Sequence, residues 1–208
     1  MRPEPPGANA TFEASRFWGA QFAGSGRIFS VGNIVRFEAA SPPQDSPFPH
    51  ATEDRIVSRE AKLEIVGQLT PDRLIQSVAA GTSRSLKDAF GGRLIRANSG
   101  KAYVASGERT CSLGAIDLDP DQIRFYSEVT QKGKRRLRAV IHQNDGDYDL
   151  SVPADAARLS FLAGGVTAVQ TEAKSSSAIH VRVGLCRPFA AMPDCRYAQV
   201  NGLYFLQG

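Results

Sequence analysis

The cleanest alternation of apolar and polar residues falls in the second half of the chain. Ile179, Val181, Val183 and Leu185 share one face of residues 179–186, with His180, Arg182 and Cys186 on the other, which predicts a half-buried strand. Leu137, Ala139 and Ile141 alternate in the same way with Arg136, Arg138 and His142. Asn144-Asp145-Gly146 then supplies the positive-φ positions of a tight turn into Tyr148, Leu150 and Val152. Residues 131–150 therefore read as a β-hairpin with a cationic outer face. Around it the same reasoning predicts strands over 113–118, 134–143, 147–152, 179–186 and 198–206. A short helix is expected over 155–162, stopped by Gly164-Gly165, and 171–177 (TEAKSSS) reads as a polar loop.

The first half is less regular. Residues 1–10, rich in Pro and Gly, read as a disordered or extended lead-in, and 11–26 as a strand entering a loop around Gly19 and Gly24. Trp18 is by default a packing residue there, with a base-stacking platform as the alternative. Residues 28–40 predict a strand with a turn or bulge at Gly32-Asn33. Ser41–Pro49 carries four prolines in nine residues, which bars it from a sheet interior. After a strand over 62–69, Thr70-Pro71-Asp72 opens a helix: Thr caps free N–H groups, Pro suits the first turn and Asp the positive dipole end. Leu74, Ile75 and Val78 form its apolar stripe and Gly81 ends it. Beyond lie a short turn at 86–90 and weak strands at Leu94-Ile95 and Tyr103-Val104.

Counted from Cys111, the elements are three strands, a helix and two strands, the order of an OB-fold, a small Greek-key barrel. The fold class expected is mainly β: two small OB-like barrels in tandem with short helices, the first barrel incomplete. The domains expected are a lead-in over 1–10, a divergent first OB-like domain over 11–110 and a second over 111–208.

A length of 208 residues with 42% hydrophobic content is enough for one large or two small cores. A net charge of +4 favours polyanionic partners without demanding them, so the local cluster weighs more than the total. The first dozen residues lack the apolar run of a signal peptide and no later stretch is long enough to span a bilayer, which makes the cytoplasm the default compartment. Cys111, Cys186 and Cys195 form no CxxC pair, so they read as buried thiols, with facing positions of Cys186 and Cys195 across a hairpin as the alternative.

Little points to catalysis, and no cofactor or metal is expected. His50, His142 and His180 are far apart, outside any metal or nucleophile motif, and read as solvated surface residues. Gly24-Ser25-Gly26 lacks the Lys-Ser/Thr of a phosphate loop. Asp117, Asp119 and Asp121 do gather carboxylates near a strand end, which keeps a metal-dependent nuclease as a distant alternative, although Pro120 favours an ordinary turn.

The later half also resembles the bacterial dual OB-containing domain family. The residues that carry the likeness are Ser112-Leu113, Arg124-Phe125-Tyr126, Arg136-Leu137-Arg138-Ala139 with 144–146, Tyr148-Asp149-Leu150 with Val152, Val183-Gly184-Leu185 and Pro188-Phe189. In the first half, Ala14-Ser15-Arg16 with Gly19 and Ala23-Gly24 is similar to the family's opening element, with Ala14 where Asn is usual, and Thr52-Glu53-Asp54 resembles a stretch near the end of its first barrel. The family's Trp-Ile-Arg-Pro strand has no counterpart between Gly24 and Arg27. The resemblance implies a nucleic-acid or ligand-binding module of prokaryotic gene neighbourhoods, including those of anti-phage systems, and brings no settled catalytic activity with it.

The function expected is non-catalytic binding of nucleic acid, single strands favoured. The candidate cations are Lys132, Lys134, Arg135, Arg136, Arg138 and Arg182, with Phe125 and Tyr126 as stacking platforms. The alternative is an adaptor that docks a partner protein, in which case the basic residues solubilise a barrel edge.

Overall fold

The computed structural model describes residues 2–6, 18–41, 48–79 and 81–207. The expected strand over residues 11–17, the Ala14-Ser15-Arg16 likeness and most of the proline-rich loop lie outside the described residues. The chain is mainly β and divides into two compact units, Met1–Gly81 and Thr82–Gly208.

In the first unit, β1 (Arg2–Glu4) runs parallel to β4 (Asp54–Val57), which pairs antiparallel with β3 (Ala39–Ala40). Part of the expected lead-in is therefore a strand, held by the ladder that β4 offers it. A second antiparallel pair joins β2 (Asn33–Arg36) to β5 (Glu64–Gln68), with the register slipping between Ile34 and Val35 as the Gly32-Asn33 signal suggests. The helix α1 (Pro71–Ala79) starts where Thr70 Oγ1 accepts the Arg73 N–H at 3.3 Å, the cap read from the sequence. Trp18 is a packing residue: its ring lies 5.1 Å from that of Phe22 and 4.7 Å from that of Phe29, and its indole N–H donates to the Pro3 carbonyl at 3.0 Å.

The second unit starts earlier than residue 111. Helix α2 (Leu86–Ala89), capped by Ser85, and strands β6 (Ile95–Arg96) and β7 (Ala102–Ala105) belong to it, because Leu86, Phe90, Ala102 and Val104 are buried in its one core. Then come β8 (Leu113–Leu118), a 3-10 turn at Pro120–Gln122, β9 (Ile123–Val129), β10 (Arg135–Gln143) and β11 (Gly146–Ser151). Helix α3 (Asp155–Lys174) and strands β12 (Ala178–Leu185) and β13 (Cys195–Leu206) complete it. Neighbours pair in the order β8-β12-β13-β11-β10-β9, with β6-β7 attached to the start of β13, so the sheet curls into a half-barrel.

The inward positions of β10 and β12 are those the alternation assigns: Leu137, Ala139, Ile141, Ile179, Val181, Val183 and Leu185 are all buried. In this unit one strand was not expected. Ile123 and Phe125 point inward from β9, which completes the meander β9-β10-β11. Helix α3 also runs past Gly164-Gly165 and takes in half of the expected polar loop. Gly165 breaks the helical path at φ 71°, yet the chain resumes its helix and buries Val169 and Ala173 against the core, which two glycines alone do not prevent. Among the described residues no helix is long and apolar enough to cross a membrane.

Candidate nucleic-acid interface

The outer face of β9-β10-β11 is not a bare cationic strip. Register sets Arg136 opposite Glu128, Arg138 opposite Tyr126 and Ser151, and His142 opposite Asp147. Arg138 is consequently internal to the fold, at 8% exposure. Its Nη2 sits 2.9 Å from Asp149 Oδ2 and its Nε donates to Asp149 Oδ1 at 3.0 Å and to the Tyr126 hydroxyl oxygen at 3.1 Å. Nη1 lies 3.7 Å from Glu128 Oε2. The two-pronged contact with Asp149 is the geometry in which Arg and carboxylate bind best. Burial opposes the charged guanidinium, but the hydrogen bond and charge of Asp149 outweigh it and hold Arg138 above its ordinary value. Tyr126 donates to the same Asp149 oxygen at 2.9 Å, and burial, then this bond, pushes its phenol up.

Two expected contacts are thereby corrected. Arg138 points outward as its position demands, but acids on the flanking strands engage it. Phe125 is 4% exposed and faces the core, so it offers no stacking surface. Tyr126 is half-buried with its hydroxyl committed to Asp149.

The other cations stand at the ends of the strands. Lys132 and Lys134 are exposed on the β9–β10 turn, where Gly133 at φ 71° lets Thr130 and Lys134 close on each other. Arg135 and Arg136, the first two residues of β10, are exposed and line a cavity of about 400 Å³ with Arg158, Phe161 and Leu162 of α3 and Phe189 of the β12–β13 loop. The Arg135 guanidinium carbon lies 5.3 Å from the Phe161 ring centroid, a cation–π contact that steadies the group without neutralising it. Arg158 is 3.1 Å from Asp155, in a pair exposed enough to be worth little. Arg182 is exposed elsewhere, over β12 and β13.

The structure thus gathers Arg135 and Arg136 with a third guanidinium and apolar walls that the sequence reading did not select. A signal for them exists: Arg158, Phe161 and Leu162 follow the i, i+3, i+4 spacing of one helical face.

The histidines divide. His142 is solvated as expected, its Nδ1 2.8 Å from Asp147. His180 and His50 are buried, at 3% and 0% exposure, against the expectation for both. Cross-strand neighbours Asp117 on β8 and Tyr204 on β13 flank His180, with its Nδ1 2.7 Å from Asp117 Oδ1, and a 3-10 turn over His50–Thr52 turns the His50 ring inward. Asp119 is taken up in capping the turn at Pro120–Gln122, where its side chain accepts the Gln122 N–H. Among the described residues no group of three or more His, Cys, Asp and Glu could hold a metal. The three cysteines are free and half-buried; Cys111 donates to the Ala89 carbonyl at 2.9 Å, and burial pushes the Cys186 thiol up.

Fold and site together define a β half-barrel unit with a basic, apolar-walled cavity at the mouth of one hairpin. Comparison with family models, with curated proteins and with solved structures finds no match to this chain.

Proposed function

We propose that the chain is a non-catalytic OB-type module that binds nucleic acid, single strands in preference to duplex, at the cavity between the start of β10, α3 and the β12–β13 loop. The observation that carries this is one hollow lined by Arg135, Arg136 and Arg158 together with the exposed Leu162 and Phe189, the buried Phe161 ring lying beneath Arg135. Phosphates need the cations, and unpaired bases need apolar or aromatic surface, so a site with both suits an unstacked polyanion better than either a folded acid or a greasy ligand. Lys132 and Lys134 extend the positive field along the adjoining turn.

Topology supports the OB part of the reading. If β8 and β9, separated only by the turn at Pro120–Gln122, count as one bent strand, the pairings close into a five-membered ring. In that ring β11 and β13 run parallel, and α3 falls between the third and fourth strands. We read the first unit, with its five short strands among the described residues, as the divergent partner barrel that the family resemblance implies, and an accessory role in a prokaryotic anti-phage system as the setting.

A partner-protein adaptor is the second reading. Leu159, Leu162, Phe189 and Met192 are exposed by 61%, 68%, 50% and 46%, an apolar surface of the sort that protein contacts use. Fluorescence anisotropy with a labelled oligothymidylate and its duplex form at two salt concentrations separates the two. Nucleic-acid binding predicts steep weakening with salt, and loss of affinity in the double variant Arg135→Glu, Arg136→Glu. Undiminished affinity in that variant would refute the proposed site.

A further inference from the structure

A second hollow, of about 190 Å³, lies on the outer face of β12 and β13, ringed by Arg182, Asn201 and Tyr204 with Leu113, Gly114 and Gly202 beneath. Its shape follows from a β-bulge. The register runs Arg182↔Gly202 and then Val183↔Val200, so Asn201 is an extra residue, and both it and Gln199 face out of the barrel. The two glycines nearest these side chains stay bare for a reason. A Cβ on Gly202 would come within 3.0 Å of the Tyr204 ring and 3.3 Å of Arg182 Cβ, and a Cβ on Gly184 would run into the Asn201 amide. The phenol ring and the amide therefore lie down on the sheet as flat surfaces.

Among the described residues, the Arg182 guanidinium, the Asn201 amide and the Tyr204 hydroxyl have no side-chain hydrogen bond or ion pair, and Arg182 and Asn201 are exposed. Arg138, by contrast, is met by two carboxylates. A free cation, a flat aromatic ring and an amide able both to donate and to accept match the phosphate, face and edge of one nucleotide. Gln199 on the same strand lines the first cavity, and the two residues from it to Asn201 span only about 7 Å of extended chain. That spacing is within the reach of one polymer.

We propose that a single strand seated in the Arg135–Arg136–Arg158 cavity continues along β13, where Tyr204 stacks its next base, Asn201 bonds that base's edge and Arg182 holds the adjoining phosphate. This rests on the nucleic-acid reading and adds to it a track of at least two nucleotides.

The test is anisotropy with oligothymidylates of roughly 4 to 16 nucleotides, the span of OB-type sites, on the full chain and four variants. Tyr204→Ala weakens binding about ten-fold, and Tyr204→Phe, which keeps the ring, binds within about two-fold of the parent. Arg182→Ala lowers the slope of log affinity against log salt by about 0.7, one single-strand phosphate contact. If Tyr204→Ala and Arg182→Ala match the parent while Arg135→Glu, Arg136→Glu loses affinity, the second subsite is overturned and the first cavity stands. If none of the variants changes affinity, both fall. A tyrosine that merely shields Gly202 would lower the melting temperature on truncation and leave affinity and salt slope where they were, which also overturns the subsite.

Discussion

Replacing Arg138 by Ala separates a structural guanidinium from a ligand-binding one. In the folded protein the group is 8% exposed and gives Asp149 two bonds, at 2.9 and 3.0 Å, with the Tyr126 hydroxyl at 3.1 Å. Breaking a fully buried pair by removing one partner costs about 3–5 kcal/mol, because an uncompensated charge stays behind. The Asp149 side chain is 19% exposed and that of Glu128 39%, so water partly re-solvates the orphaned carboxylates. A loss of about 2–3 kcal/mol is the reasoned value, in line with hydrogen bonds to charged groups. Urea unfolding at neutral pH measures it as a fall in midpoint at unchanged slope. The charge itself is the target, so the double variant Arg138→Met, Asp149→Leu should regain part of the loss, since it removes the closest charge pair at similar volume and leaves the more exposed Glu128 to water. Folded Arg138→Ala should also keep the salt slope of nucleic-acid binding. A destabilisation under about 0.5 kcal/mol, the range of ordinary surface changes, would refute the assignment of Arg138 to the fold.

Gly114, Tyr148 and Phe161 carry three further outcomes. Gly114→Ala should destabilise by about 1–3 kcal/mol in urea unfolding, because its new Cβ would lie 2.8 Å from Ala89 Cβ and 2.9 Å from the Ala89 carbonyl, backbone that cannot swing aside; a neutral result would mean α2 is free to shift off β8. Tyr148 is 2% exposed and donates to Asp145 Oδ2 at 2.5 Å; burial, then this bond, raises its phenol well above the usual range. A raised folded value means the unfolded chain releases that proton first, so the contribution is intact below about pH 10 and is lost as pH climbs through the folded value; thermal melts across alkaline pH should show the fall, blunted in Tyr148→Phe. Phe161→Ala, 5% exposed in both the core and the cavity wall, should cost about 3–5 kcal/mol and enlarge the cavity; full stability would place the ring outside the core.

Where sequence reading succeeded, one strand carried its own evidence. β10 and β12 alternate without interruption, so their inward faces follow from period alone, and Thr70 caps α1 through atoms three residues apart. Failures came where the deciding partner sits far along the chain. Alternation puts Arg138 on the outer face but says nothing of Asp149 and Glu128, which only the register of two other strands brings to it. The same holds for His180 between Asp117 and Tyr204. Gly164-Gly165 reads as a helix stop on local propensity, and Val169 and Ala173 override it by burying themselves one turn and more beyond. The cavity drew Arg158, Phe161 and Phe189 from elements that no hairpin reading connects, although Arg135 and Arg136 marked its edge.

For the proposed nucleic-acid binding, these placements set how steeply affinity should respond to salt. Each phosphate neutralised on a single strand contributes about −0.7 to the slope of log affinity against log salt. Counting all six cations expected from sequence would give about −4, but Arg138 is already neutralised within the fold and releases no counterion on binding. Lys132, Lys134, Arg135, Arg136 and Arg182 have no ion pair among the described residues and together contribute about −3.5, and Arg158, whose pair with Asp155 is exposed, adds up to about −0.7. The separation lies in the variants more than in the total: charge removal at Arg135 or Arg182 should flatten the line by about 0.7 each, and at Arg138 not at all once the protein is folded. An Arg138 variant that flattens the line as much as the others would mean that nucleic acid displaces Asp149 from the guanidinium, and that the β9-β10-β11 face is part of the site.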